Sequence, residues 1–115
     1  MAAALAAGEL CGFGMGAMLQ VLGEFPGLPH RMQHVAEQGG VHWYNDSKGT
    51  NVGATLAAIE GVEGRLVLIA GGDGKGADFA PLASALHGRG RGAVLLGLDA
   101  PRLAAALRDV LPVAF

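Results

Sequence analysis

The chain has a single cysteine, Cys11, among its 115 residues. One thiol cannot build an internal disulfide framework, and such sparing use fits a reducing, cytoplasmic compartment. Lysine is nearly as scarce. Only Lys48 and Lys75 are present, and the other six cations are arginine. Both lysines fall in loops expected to follow strands, where a ligand would be held. No apolar stretch reaches membrane-spanning length, because Glu9, Gln20 and Glu24 interrupt the N-terminal one. That segment also lacks a basic leader, so it does not read as a signal peptide. Excess charge is missing too. A net charge of −2 implies no general affinity for nucleic acid, and 51% apolar residues exclude a disordered chain. Neither a nucleic acid nor a membrane is expected as a partner.

Glycine is abundant instead, at 20 residues with no collagen-like period. Its clusters mark tight turns and close backbone approach to ligands. The length suits one small domain with a modest core. Residues 2–10 are alanine-rich and read as helix, followed by a second short amphipathic helix in which Met15, Met18, Leu19 and Leu22 share a face. Phe25-Pro26-Gly27-Leu28-Pro29 stops it, and a domain boundary is placed near Gly27. Residues 31–37 and 41–45 read as strands of a β-hairpin turning at Gln38-Gly39-Gly40. Trp43 and Val41 alternate with His42 and Tyr44, so one pair is expected to face a core.

Helix is expected over 52–62, with Val52, Leu56, Ile59 and Val62 on one face. Leu66-Val67-Leu68-Ile69-Ala70 is a continuous apolar run of the kind found in parallel strands covered on both faces. A helix to about His87 follows, with Asp78 as N-cap and Pro81 in its first turn. Gly88-Arg89-Gly90-Arg91-Gly92 reads as a basic turn, 93–98 as a strand, 101–110 as a helix, and 111–115 as the start of another strand. The order hairpin, α, β, α, β, α argues for a three-layer α/β sandwich around a mostly parallel sheet.

Two loops could carry chemistry. Asn45-Asp46-Ser47-Lys48-Gly49-Thr50-Asn51 joins a strand to a helix whose first N–H groups would face an anionic ligand. The same string also reads as a polar turn capped by Thr50. Gly71-Gly72-Asp73-Gly74-Lys75-Gly76-Ala77-Asp78 is neither a Walker A loop nor a dinucleotide fingerprint, because Gly76 follows Lys75 where Ser or Thr is needed. It suits a carboxylate or phosphate oxygen held by Lys75 and backbone N–H groups, or a simple turn. Right-handed crossovers would bring Lys48, Thr50 and Lys75 to one carboxyl edge of the sheet. His30 and His34 have no third ligand nearby, and no metal site is expected from this chain alone.

In this order and spacing, Leu28-Pro29-His30-Arg31, Asn45-Asp46-Ser47-Lys48-Gly49-Thr50-Asn51 and Gly71-Gly72-Asp73-Gly74-Lys75 resemble the Mur ligase family. The resemblance runs from residue 1 to about 110. A Pro-x-x-Arg-like start is similar across sibling ligases, whereas the Asn-Asp-Ser-Lys-x-Thr-Asn string looks like that of the member adding D-glutamate. The resemblance implies the last helices of a central ATPase domain over 1–26. It implies a three-layer, Rossmann-like C-terminal domain over 27–115, incomplete at its end.

The implied activity belongs to peptidoglycan synthesis. ATP phosphorylates the carboxylate of UDP-N-acetylmuramoyl-L-alanine, and the amine of D-glutamate then displaces phosphate to form an amide. In the family the phosphate loop, Mg²⁺ ligands and a carbamoylated lysine lie upstream of Met1, and a final glutamate-binding loop lies beyond Phe115. The chain is therefore expected to be a fragment, monomeric and inactive alone. By resemblance, Asp46 takes the ATP ribose, Arg31 faces phosphates, Lys48 neutralises charge near the phosphate or the amino acid, and His30 lies near the reacting centre. Thr50 and Lys75 hold D-glutamate carboxylates. The competing expectations are another Mur-type or folylpolyglutamate amide ligase, or a non-catalytic anion-binding α/β module.

Overall fold

The computed structural model describes residues 2–115. Helices α1 (Ala2–Leu10) and α2 (Met15–Glu24) open the chain and pack on each other. Their contact is close because Gly8 has no side chain; a Cβ there would collide with the Met18 sulfur. The chain then turns extended at Phe25, as the following proline requires.

Strands β1 (Gln33–Gln38) and β2 (Val41–Asn45) form the expected antiparallel hairpin. Its turn residues Gly39 and Gly40 have φ of 59° and 75°, the left-handed pair that a two-residue hairpin turn needs. β1 begins two residues later than expected, because His30 and Met32 also take positive φ and cannot extend a strand. The hairpin is its own two-stranded sheet, separate from the parallel one. Neither of its faces is buried: Val41, Trp43 and Tyr44 all stand roughly half exposed. The expectation that one pair faces a core is not met, because alternation separates two faces but a hairpin outside the parallel sheet has no core for either.

Helix α3 (Val52–Gly61) is capped by Asn51, whose Oδ1 accepts the Ala54 N–H at 2.9 Å. Thr50 is not the cap. β3 (Leu66–Gly71), α4 (Ala80–Leu86), β4 (Gly90–Leu96), α5 (Ala100–Leu107) and the two-residue β5 (Val113–Ala114) follow. Phe79 rather than Asp78 holds the N-cap position of α4, with Asp78 accepting the Ala80 N–H. The three strands are parallel in the order β3-β4-β5. β4 starts at Gly90, inside the stretch that composition marks as a basic turn. Pairing with β3 overrides the local preference there, since Leu66 donates to the Arg89 carbonyl and aligns with Gly90.

Ile59 of α3, Leu82 and Leu86 of α4, and Leu103 and Leu107 of α5 form the core with Ala93 and Leu95 of β4. Leu66, Leu68 and Ala70 of β3 pack against it. The opposite face carries Val67, Ile69, Val94 and Leu96, all exposed. The α/β class, parallel sheet, hairpin and leading helices are as expected. Of the three layers, the described residues supply the sheet and one helical layer. Successive right-handed crossovers stepping in one direction put α4 and α5 on the same face. The radius of gyration is 17.1 Å, above the roughly 13 Å of a compact domain of this length, because the first helices and the hairpin stand outside the core.

Candidate functional site

The segment before β1 and the loop after β2 are stitched together. Met32 donates its N–H to Asp46 Oδ1 at 2.9 Å, and Lys48 donates its N–H to the His30 carbonyl at 3.1 Å. The Asn45 amide meets His30 Nδ1 at 3.0 Å, and Asn45 Oδ1 accepts the Ser47 N–H. Gly49 closes the turn onto the Asp46 carbonyl at 2.7 Å. His30 and Met32 flank Arg31 with φ of 62° and 44°. Left-handed backbone at non-glycine residues is costly and persists only where surrounding contacts enforce it. Here those contacts come from the loop at 45–49 and from Gln33, whose Oε1 accepts the His30 N–H at 3.1 Å.

The result is an open cavity of about 340 Å³ lined by Arg31, Asp46, Lys48 and the small side chains of Ala54, Ala57 and Ala58 on α3. Arg31 and Lys48 are exposed and Asp46 is half-buried. A guanidinium fork, an ammonium and an acceptor-only carboxylate around one opening fit a nucleotide, with phosphate oxygens on the cations and hydroxyls on the carboxylate. Thr50 donates its N–H to the Lys48 carbonyl but does not line the cavity.

Lys75 lies in the second loop, after β3, and does not line that cavity either. The loop leaves the sheet where Gly71 touches the Leu96 carbonyl, a contact that any Cβ at Gly71 would break. Gly72 donates to the Leu96 carbonyl and accepts from the Asp99 N–H. Lys75 has φ of 50° and donates its N–H to Asp73 Oδ1 at 2.8 Å.

The far end of α3 is fixed against the parallel sheet. Leu66 at the start of β3 donates to the Arg89 carbonyl, and the Arg89 guanidinium bonds the Val62 carbonyl just past α3. The end of α3 thus sits at the amino edge of the strands. A helix of this length spans about 15 Å, which separates that end from the first turn beside Asn51. Arg31, Asp46 and Lys48 are brought together, His30 is bonded beside them, and Lys75 with its loop stands apart.

The sequence alone did not single out Asp99 and Arg102. Asp99 is buried and its Oδ2 accepts the Gly74 N–H at 2.6 Å. Arg102 donates to Asp99 Oδ1 at 3.1 Å and to the Ala77 carbonyl at 2.9 Å, and its guanidinium lies 5.2 Å from the Phe79 ring centroid. The Gly74 N–H, then the Arg102 bond, holds the Asp99 carboxyl below its ordinary range, against the opposing effect of burial. The Asp99–Arg102 spacing of three at the start of a helix was the available signal.

His34 contacts His42 across the hairpin at 3.3 Å rather than His30. Among the described residues no three His, Cys, Asp or Glu side chains converge as a metal-binding group. No helix among them is long and apolar enough to cross a membrane.

Residues 30–114 match the family described as Mur ligase, glutamate ligase domain. Among curated proteins, the chain is 59% identical over 115 residues to the UDP-N-acetylmuramoylalanine--D-glutamate ligase of Chromohalobacter salexigens, covering 96% of this chain and 25% of that protein. It is 59% identical over 113 residues to the protein of the same name from Nitrosococcus oceani, with 96% and 25% covered. The corresponding protein of Methylococcus capsulatus is 56% identical over 110 residues, with 96% and 24% covered. The chain spans about a quarter of the length of the curated relatives it matches.

Proposed function

Because the chain belongs to the Mur ligase family through its glutamate ligase domain, we propose that it supplies the nucleotide-facing and amino-acid-holding part of an ATP-dependent ligase. That ligase joins D-glutamate to UDP-N-acetylmuramoyl-L-alanine. Residues 27–115 are the family's C-terminal domain, and 1–26 are the last helices of a central ATPase domain. The enzyme works as a monomer in the cytoplasm, in peptidoglycan synthesis. The observation that carries this is the cavity where Arg31, Asp46 and Lys48 meet beside the first turn of α3.

ATP supplies the phosphoryl group that activates the substrate carboxylate. The amine of D-glutamate then forms the C–N bond as the C–O bond to phosphate breaks, and one amine proton is lost to solvent or base. Arg31 and Lys48 offset the charge of phosphate oxygens. Asp46 accepts from the ribose hydroxyls, and His30 stands beside the reacting centre. D-glutamate brings two carboxylates, which Lys75 and Thr50 hold. Catalysis by these residues is positioning and charge stabilisation.

The test is acceptor selectivity of the complete ligase, measured by amide formation with D-glutamate, L-glutamate and a diamino acid. D-glutamate is expected to give the highest kcat/KM. Preference for a diamino acid would reassign the chain to a sibling ligase.

Asp46→Asn separates the carboxylate's two duties. Asparagine can still accept the Met32 N–H that Asp46 holds, so folding is kept, while the charge-assisted acceptor for the ribose is lost. The KM for ATP is expected to rise about tenfold, with that for D-glutamate unchanged. An unchanged ATP KM would remove Asp46 from the nucleotide site.

A further inference from the structure

We infer that Asp99 and Arg102 are positioning residues for Lys75, forming a latch that sets the amino-acid-holding loop from the start of α5. This rests on the reading of Lys75 as a carboxylate-holding group.

The loop between β3 and α4 is rich in glycine and would sample many conformations if left to itself. It is instead anchored on both sides of Lys75. On the N-terminal side, Gly74 donates its N–H to Asp99 Oδ2. On the C-terminal side, the Ala77 carbonyl accepts from Arg102 Nη2. The two anchors are bonded to each other through Arg102 Nη1 and Asp99 Oδ1. Arg102 is further held over the Phe79 ring, and that ring packs so closely on Gly74 that a Cβ there would meet it. Asp99 is itself fixed, because its N–H donates to the Gly72 carbonyl at 3.0 Å. The left-handed backbone of Lys75 sits between these anchors. A residue in that region stays there only when its neighbours are over-determined, and among the described residues Asp99 and Arg102 are the side chains outside the loop that bond it.

The pairing also explains why a carboxylate is buried at this place. Asp99 has few other duties in the fold, since α5 has no side-chain cap bond from it. Its oxygens go to the loop and to the arginine that shares the task. The latch therefore tunes where the Lys75 ammonium stands without touching substrate.

The experiment pairs two readouts. Amide hydrogen exchange on the full chain compares the native protein with Asp99→Ala and Asp99→Asn, and steady-state kinetics on the complete ligase follows the same variants beside Lys75→Ala. Asp99→Ala is expected to speed exchange at Gly74 and Ala77 while β3 and β4 stay protected. It is expected to raise the KM for D-glutamate about tenfold with the KM for ATP unchanged. Asp99→Asn, which can still accept from Gly74, should recover part of both effects and remains informative if the alanine variant fails to fold. Unchanged loop exchange in both variants overturns the latch. A loosened loop with an unchanged D-glutamate KM, where Lys75→Ala does raise it, overturns the positioning role alone. If Lys75→Ala is also silent, the amino-acid reading of the loop fails, and the positioning role falls with it.

Discussion

Lys75→Ala raises the KM for D-glutamate tenfold to a hundredfold and leaves the KM for ATP unchanged; this is the expected kinetic result in the complete ligase. Lys75 is exposed, in a loop separate from the cavity that Arg31, Asp46 and Lys48 line. Its backbone, not its ammonium, makes the local contact to Asp73. Truncation therefore removes a charge without removing a support, and surface changes of this kind shift stability by no more than about 0.5 kcal/mol. Among the described residues nothing bonds the ammonium, which leaves it to a carboxylate, and a charge-assisted bond contributes roughly 1.5–3 kcal/mol. That range converts to about one to two decades in affinity. An unaltered melting temperature checks the folding premise. If the variant instead shifted the KM for ATP and spared that for D-glutamate, the assignment of Lys75 to D-glutamate would be wrong.

The second large effect is on stability. Leu107→Ala is expected to destabilise the chain by about 2–5 kcal/mol, the range for emptying a fully buried leucine site. Leu107 is 0% exposed and sits where α5 joins the core formed with Leu86 and Leu95. The total stability of a domain this size is about 5–15 kcal/mol, so the loss is a large fraction of it. Ile69→Ala is the control. Ile69 lies on the adjacent strand β3 but on the open face, 56% exposed, and truncating it should cost under about 1 kcal/mol. Urea unfolding of both variants checks the contrast. Equal losses would mean that the open face is packed in solution and that the two sides of the sheet are alike.

That contrast also marks where periodicity stops being informative. The run 66–70 is apolar at every position, and such a run is expected for a strand covered on both faces. The described residues cover only the side of Leu66, Leu68 and Ala70. A strand's own residues show that both sides are apolar. Which side receives a helix depends on the direction in which the chain crosses to the next strand, and that is a property of three elements together.

Asp99 illustrates the same limit at the candidate site. Its partner Gly74 is 25 residues away, and so is the Ala77 carbonyl from Arg102. No spacing rule reaches that far. The contact exists because β3 and β4 are neighbours and their loops leave the sheet side by side, with Gly71 against the Leu96 carbonyl. The Asn45–Asn51 string, by contrast, was legible at once. Its acidic, basic and hydroxyl groups lie within seven residues, between a strand and a helix.

By itself the sequence determined the elements and the loops that carry charge. Alternation, helical spacing and the Gly39-Gly40 turn act over a few residues, so all five helices and the hairpin were readable within a few residues of their ends. It also placed Arg31, Asp46, Lys48, Thr50 and Lys75 in loops or beside element ends. Tertiary structure alone decided that the hairpin stands apart from the parallel sheet and that β4 begins among glycines and arginines. It also decided that Arg31, Asp46 and Lys48 share a cavity while Asp99 and Arg102 secure the other loop. The physical reason is range: propensity and turn chemistry are settled by near neighbours in the chain, whereas pairing and burial are settled by whichever distant segment arrives alongside.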